Sequence, residues 1–259
     1  MNCAIIENVA LLVVSCDNYA DVWQPFFSLF TRYWPDCPFR IYLLSNFLDP
    51  GTEAVGSLKV GKDVSWSDNL RKALGILEED YVFMVVEDLF LTKRVNTFDV
   101  LALIDWAISK GANYLRLNPY PAPDTKVNEM VGAVSHGAIY RTSTVMSLWK
   151  KEILYDLLKP NENAWQFEIE GSKRSDRYHG FYSARTFHFH VINGVIKSKW
   201  CREAISHLKG HGIEPDLSVR EAMTPGEEFA YNMRQQRSRL FRLFPNTYRR
   251  RIRESLVGD

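Results

Sequence analysis

The chain has 259 residues, 46% of them hydrophobic and 24% charged, and carries a formal net charge of +1. That balance is the composition of a soluble globular protein of one large domain or two merged halves. Cys3, Cys16, Cys37 and Cys201 form no CxxC pair, and the longest apolar stretch near the amino terminus, Val9 to Val14, is too short for a signal or a span; a cysteine metal site and a membrane-spanning chain are excluded, and a reduced, cytoplasmic protein is expected.

Val9 to Val14 is apolar throughout and reads as a buried first strand. It runs into Ser15-Cys16-Asp17-Asn18-Tyr19, where polar side chains and exposed amides at a strand tip would make a nucleotide pocket. Ser15, Asp17 and Tyr19 are therefore candidate binding residues. Trp23, Phe26, Phe27, Phe30 and Trp34 recur on one helical face as a packing stripe, which Pro35 and Pro38 end. Arg40 to Ser45 is a second strand, with Asn46 at its tip as a further candidate. After a turn-rich stretch with a short strand near Leu58 to Val60, Ser65 is the expected N-cap of a helix that buries Trp66, Leu70, Ala73, Leu74 and Leu77. Trp66 and Arg71 open that helix as candidate binding residues, Arg71 for a diphosphate.

Tyr81 to Val86 is a second unbroken apolar run, which suits a strand covered on both faces, and it leads straight into Glu87 and Asp88. Carboxylates at a strand end often only open a turn. At the carboxyl end of a central strand they also lie where open α/β sheets bind ligands. Phe98 to Lys110 is an amphipathic helix ended by Gly111, and Tyr114 to Leu117 is a short strand. Asn118 to Asn128 contains three prolines and is a loop. Gly137 to Arg141 reads as a strand, Thr142 to Leu158 as a helix, Phe187 to Val191 as a strand-like alternation and Trp200 to Lys209 as a last helix. Strands alternating with helices predict an α/β fold with a mixed, mostly parallel central sheet flanked by helices.

This order of parts resembles glycosyltransferases of the GT-A fold, Rossmann-like in their first half, and is similar to bacterial enzymes that build surface polysaccharides such as capsule and O-antigen. The resemblance covers roughly Val9 to Ile196. It rests on VVEDLFL as the acidic strand, on GAIYRTSTVMSLWKKEIL as an acceptor-side segment and on WQFEIEGS as the helix that carries the base in inverting members. It implies a single catalytic domain over 1–233, with a donor-binding half over 1–117 and an acceptor half over 118–210. It also implies a nucleotide-sugar donor (a UDP-sugar foremost), a glycan or lipid-linked acceptor, and Asp88 and a Glu as catalytic groups.

Between the two candidates for the base, Glu168 and Glu170 lie two positions apart and point about 200° apart on a helix, so only one can face a cleft. Glu168 is preferred, because Trp165 lies one turn before it as an apolar wall. Glu87-Asp88-Leu89 departs from the family's Asp-x-Asp. Mg²⁺ or Mn²⁺ on Asp88 and Glu87, with His190 as a further ligand, is one way to balance a diphosphate. Arg71, Lys62, Lys173 or Arg174 are the other. His188 and His190 are expected to share a strand face. A nucleotidyltransferase is disfavoured, since SCDNYADVW has no glycine. A metal-dependent hydrolase on Asp17, Glu87, Asp88, His188 and His190 and a non-catalytic membrane scaffold are the rival readings.

From Arg234 onward eight Arg stand against Glu254 and Asp259, interleaved with Leu240, Phe241, Leu243 and Phe244. This basic amphipathic segment, 234–259, is expected to form a helical extension that meets the inner membrane face rather than nucleic acid.

Overall fold

The computed structural model describes residues 6–241, with side chains over 6–234. Beyond Arg234 the basic carboxyl-terminal segment lies outside the described side chains, and from 242 onward outside the described residues.

The centre is β1 (Val9–Val14), all six residues of which are buried. It pairs in parallel with β2 (Arg40–Ser45) on one side and with β4 (Tyr81–Val86) on the other, and β3 (Gly56–Lys59) extends the sheet beyond β2. Past β4 the order continues through β9 (Ser147–Lys150), β6 (Tyr114–Arg116), β10 (Phe181–Ala184), β8 (Val131–Ala133) and β7 (Thr125–Lys126), nine strands in all. Only β9 and β8 run against the other seven, so the sheet is mixed and mostly of one direction. A small second sheet pairs β5 (Leu89–Leu91) with β11 (Val191–Asn193), and a third pairs β12 (Val195–Ile196) with β13 (Lys199–Trp200).

The unbroken apolar runs have a simple cause. Val9, Leu11 and Val13 enter one core with α1 (Ala20–Tyr33), α3 (Thr97–Ser109) and α6 (Arg202–Gly210). Ala10, Leu12 and Val14 enter the other with α2 (Trp66–Ile76) and α4 (Lys151–Leu157). Both faces are covered, so neither set of alternating side chains can be polar; each fully buried Val or Leu contributes about 1.5–3 kcal/mol. The aromatic stripe of α1 is core, as Trp23, Phe26, Phe30 and Trp34 are all buried. The expected ends hold as well. Ser65 caps α2 by accepting from the Asp68 amide at 3.1 Å, and Gly111, at φ +61°, ends α3. A last helix, α7 (Pro225–Phe241), ends the described residues.

Three expectations fail. Gly137 to Arg141 forms turns, because the buried Arg141 guanidinium itself donates to the carbonyls of Val134, Ser175 and Tyr178 and ties the segment to its neighbours without a ladder. The stretch from Thr142 to Leu158 is not one helix. Its middle is β9, inserted antiparallel between β4 and β6, where Leu148 fills one core and Trp149 the other; sheet pairing overrides local helix preference. In Phe187 to Val191 only Val191 is in a strand. Asn118 Oδ1 accepts from the amides of His188 and Phe189, and Asn118 Nδ2 donates to the Phe189 carbonyl, so a side chain takes the place of a ladder.

Candidate active site

The tips of β1 and β4 are in register, Val14 opposite Val86, so Ser15 and Glu87 emerge side by side at the carboxyl edge of the sheet. There they border a cavity of about 260 Å³ lined by the ends of β1, β2 and β4, the first turns of α2, and Ala164. Its walls combine Val14, Leu44 and Val86 with two aromatic rings, Tyr19 and Trp66. Its polar groups are Ser15, Cys16, Asn69 and three carboxylates, Asp63, Glu87 and Asp88; among the described lining residues none is Lys or Arg.

The acidic pair is electrostatically strained. Glu87 is only 6% exposed, and its carboxyl is held above the ordinary range by burial first and then by the charge of Asp88, against a hydrogen bond from Ser15. Burial raises Asp88 as well. The same field pushes up the Tyr19 phenol, by burial first and then by Asp88 and Glu87, and the half-buried Cys16 thiol, mainly by burial. The compensating charge is Arg220, which lowers both carboxyls. It is committed elsewhere: it binds both oxygens of the buried Asp21 at 3.0 Å, donates to the Asn18 carbonyl at 2.9 Å, and lies 4.5 Å over the Tyr19 ring. Arg220 thus fixes the wall that Tyr19 provides.

Of the residues expected from sequence, Ser15, Tyr19, Trp66, Glu87 and Asp88 meet in this cavity. Ser15 accepts from the Trp23 indole at 2.7 Å, so it braces Glu87 against the core. Asp17 and Asn46 lie behind the wall as a cross-link between the β1 and β2 tips. Asp17 accepts from the amides of Asn46 and Phe47 at 2.9 and 3.0 Å, and its own amide donates to Asn46 Oδ1. Arg71 turns away, donating to the carbonyls of Tyr155 and Leu158 and stacking on Tyr155. Lys173 pairs with Glu170, and Arg174 clamps Glu162 with two bonds. Lys62 is exposed and precedes Asp63 in the chain.

Glu168 does not line the cavity. It sits in a π-helical turn, Phe167–Gly171, within α5, a helical run over 164–177 that begins at the cavity with Ala164. Its Oε1 accepts from the Thr144 amide at 2.9 Å, the Thr144 hydroxyl at 3.1 Å and the Ser143 hydroxyl at 3.3 Å. Burial nonetheless raises its carboxyl above the ordinary range. Trp165 is 61% exposed, with the Tyr140 ring edge-on at 6.4 Å. His188 hydrogen-bonds Thr186, and His190 stacks on Phe187, so the two are not a strand pair, and neither they nor Asp17 join the acidic pair in the cavity lining. Among the described residues no group of three or more His, Cys, Asp or Glu could hold a metal ion by itself. The hard oxygen donors at the cavity are Asp63, Glu87 and Asp88, the ligand type that Mg²⁺ and Mn²⁺ take together with waters and phosphate oxygens.

The sequence reading missed Asp63, which lines the cavity and accepts from Asn69 at 2.6 Å, and Arg220, whose partner Asp21 is 199 positions away. It also missed Gly194, whose amide donates to the Asp88 carbonyl at 2.5 Å and where a Cβ would meet the Phe90 ring at 2.7 Å. The close approach requires glycine there, but a lone Gly in a coil carries no sequence signal of it.

No protein-family model matches the chain, and no curated protein matches it. Among solved structures, S. aureus TarS 1–349 in complex with UDP is similar at 14% identity over 70% of this chain and 59% of that one, with a TM-score of 0.46. TarS 1–349 without a named ligand is similar at 14% identity over 68% and 60%, with a TM-score of 0.42. UTP-bound UGPase from Acinetobacter baumannii is 10% identical over 88% of this chain and 98% of that one, with a TM-score of 0.46. The chain thus spans about 60% of the TarS structures it matches.

Proposed function

We propose that the chain is a glycosyltransferase that takes a sugar from a nucleotide-sugar donor, a UDP-sugar foremost, through this cavity. The observation that carries the reading is the pairing of two aromatic walls with an acidic pair at the carboxyl tips of parallel strands. Tyr19 and Trp66 would flank the base, and the cavity's volume, about 260 Å³, suits a nucleoside better than a whole nucleotide sugar. The donor's diphosphate and sugar would then extend past Asp88 toward the acceptor half, 118–210, with 1–117 as the donor half.

Three carboxylates and, among the described lining residues, no cationic side chain would repel a diphosphate. A divalent cation held by Glu87 and Asp88 resolves that conflict on both sides, and when bound it would neutralise the charge of the leaving diphosphate. Ser15 and Arg220 keep Glu87 and the Tyr19 wall in place. Glu168, anchored through one oxygen and raised by burial, is the proposed group that accepts the proton of the attacking hydroxyl in an inverting transfer. The acceptor would be a glycan or lipid-linked glycan of a surface polysaccharide.

The test incubates the protein with Mn²⁺, a panel of nucleotide sugars and glycan or lipid-linked acceptors, and reads sugar transfer and nucleotide release. Transfer from one donor class is expected, falling by roughly 10²–10⁴-fold in Glu168→Gln while nucleotide binding persists. Absence of transfer from every donor, or full activity in Glu168→Gln, would overturn the corresponding assignment.

A further inference from the structure

Two histidines outside the cavity turn ring nitrogens toward each other. His136 follows β8 and His179 precedes β10; they are 43 positions apart in the chain, and both are exposed. β10 runs parallel to β6, and both run in the direction of β4, because β9 is antiparallel to β4 and to β6 alike. His179 therefore stands at the amino edge of the sheet, and the cavity lies at the carboxyl edge.

The first ring is oriented as a metal ligand is. His136 Nδ1 lies 2.7 Å from the Asp176 carbonyl oxygen. Only an N–H can face a carbonyl oxygen that closely, so in the neutral ring Nδ1 carries the proton and Nε2 keeps its lone pair. Metal-binding histidines are held in the same way, with the second nitrogen donating to a carbonyl or carboxylate. The Asp176 carboxylate accepts from the Gly137 amide at 2.8 Å and fixes the turn that carries His136.

The spacing between the rings says what they can hold. His136 Nε2 and His179 Nδ1 are 3.3 Å apart, beyond the roughly 2.7–3.2 Å of a good N–H hydrogen bond. Two imidazole nitrogens on one tetrahedral Zn²⁺, each at about 2.0–2.1 Å, are about 3.3–3.4 Å apart. The ring centroids are 5.0 Å apart, with the planes at 57°. Rings lined up on a straight N–H···N bond of this length would put the centroids about 5.6 Å apart. Rings aimed at a shared tetrahedral ion would put them about 5.2 Å apart. The observed pair is bent toward a common point.

We propose that His136 Nε2 and His179 Nδ1 together bind one Zn²⁺, with water completing the shell. Binding requires only that the proton of neutral His179 sit on its Nε2. Imidazole nitrogens favour Zn²⁺, Ni²⁺ and Cu²⁺, whereas Mg²⁺ takes oxygen ligands, so this pair and the acidic cavity select different ions. The ion clips the turn after β8 to the carboxyl end of α5, the helical run that carries Glu168. The site does not depend on the proposed function.

The test strips the full chain with a chelator, removes the chelator, and titrates the protein with Zn²⁺ by calorimetry. One equivalent is expected to bind at the pair, with a saturable rise in melting temperature. His136→Ala and His179→Ala should each weaken that binding at least about tenfold, while His188→Ala with His190→Ala leaves it unchanged. Both rings are exposed, so the single variants are expected to keep the melting temperature of the metal-free chain. Cu²⁺ should bind more tightly than Zn²⁺, and its electron paramagnetic resonance spectrum should show two nitrogen ligands, reduced to one in each single variant. Absence of Zn²⁺ binding, binding that survives both substitutions, or no nitrogen splitting from these rings would overturn the proposal. The assay contains no nucleotide, so its failure leaves the donor-site reading standing, and failure of that reading leaves the zinc site standing.

Discussion

Glu87 and Asp88 follow each other at a strand tip where burial raises both carboxyls and the charge of one further raises the other. The consequence for stability has a definite sign. A carboxyl raised in the folded state binds more protons there than in the unfolded chain, so its favourable contribution is complete below the ordinary carboxylate range and is lost as pH rises through the raised value. Each unit of separation is worth about 1.4 kcal/mol. The cation-free protein is therefore expected to lose stability between pH 5 and 8 in urea titrations, and Glu87→Gln, which cannot ionise, should flatten that decline and be the more stable protein at pH 8. Equal slopes for the two proteins would contradict the account. A divalent cation at the proposed site would act in the opposite direction, since it would bind the deprotonated pair, and its affinity is expected to climb over the same range.

At the scale of elements, the acidic turn is held between two sheets. β4 delivers it from the main sheet, and β5 leaves it at once to pair with β11, Phe90 opposite Ile192. Gly194 closes the arrangement through its bond to the Asp88 carbonyl, against the fully buried Phe90. Gly194→Ala would push a methyl into that ring and that carbonyl. Overpacking of this kind costs about 1–3 kcal/mol, and cation-dependent nucleotide affinity is expected to fall with it, measured by calorimetry; unchanged affinity would mean that the small sheet does not position Asp88. The main sheet's first strands and the acidic turn were legible in sequence because β1 and β4 bury both faces, and such strands can hold only apolar residues until they end. Ser15, Tyr19 and Trp66 were legible for the same reason, since they stand where those runs stop or where Ser65 caps a helix. β9 was not, because Val145-Met146-Ser147-Leu148-Trp149 suits a helix equally well and only its partners β4 and β6 decide. Nor were Arg71 and Arg220, whose roles depend on carbonyls and a carboxylate far away in the chain.

For the molecule as a whole, two cores sandwich one sheet, and the cavity opens at the sheet's carboxyl edge. On the proposed function, the cavity would take a charged, water-borne donor between its aromatic walls and its acidic pair. The central claim is that the acidic pair forms a cation-bridged nucleotide site. A thermal-shift series with nucleoside diphosphates, with and without Mn²⁺, on the wild-type chain and on Asp88→Asn tests it most directly. At a hundredfold excess over Kd the linkage is about 2.7 kcal/mol, a rise of roughly 5–10 °C for a chain of this size. The account predicts a saturable rise with uridine diphosphate that requires Mn²⁺ and vanishes in Asp88→Asn. No rise with any nucleotide, or an equal rise in Asp88→Asn, would contradict it.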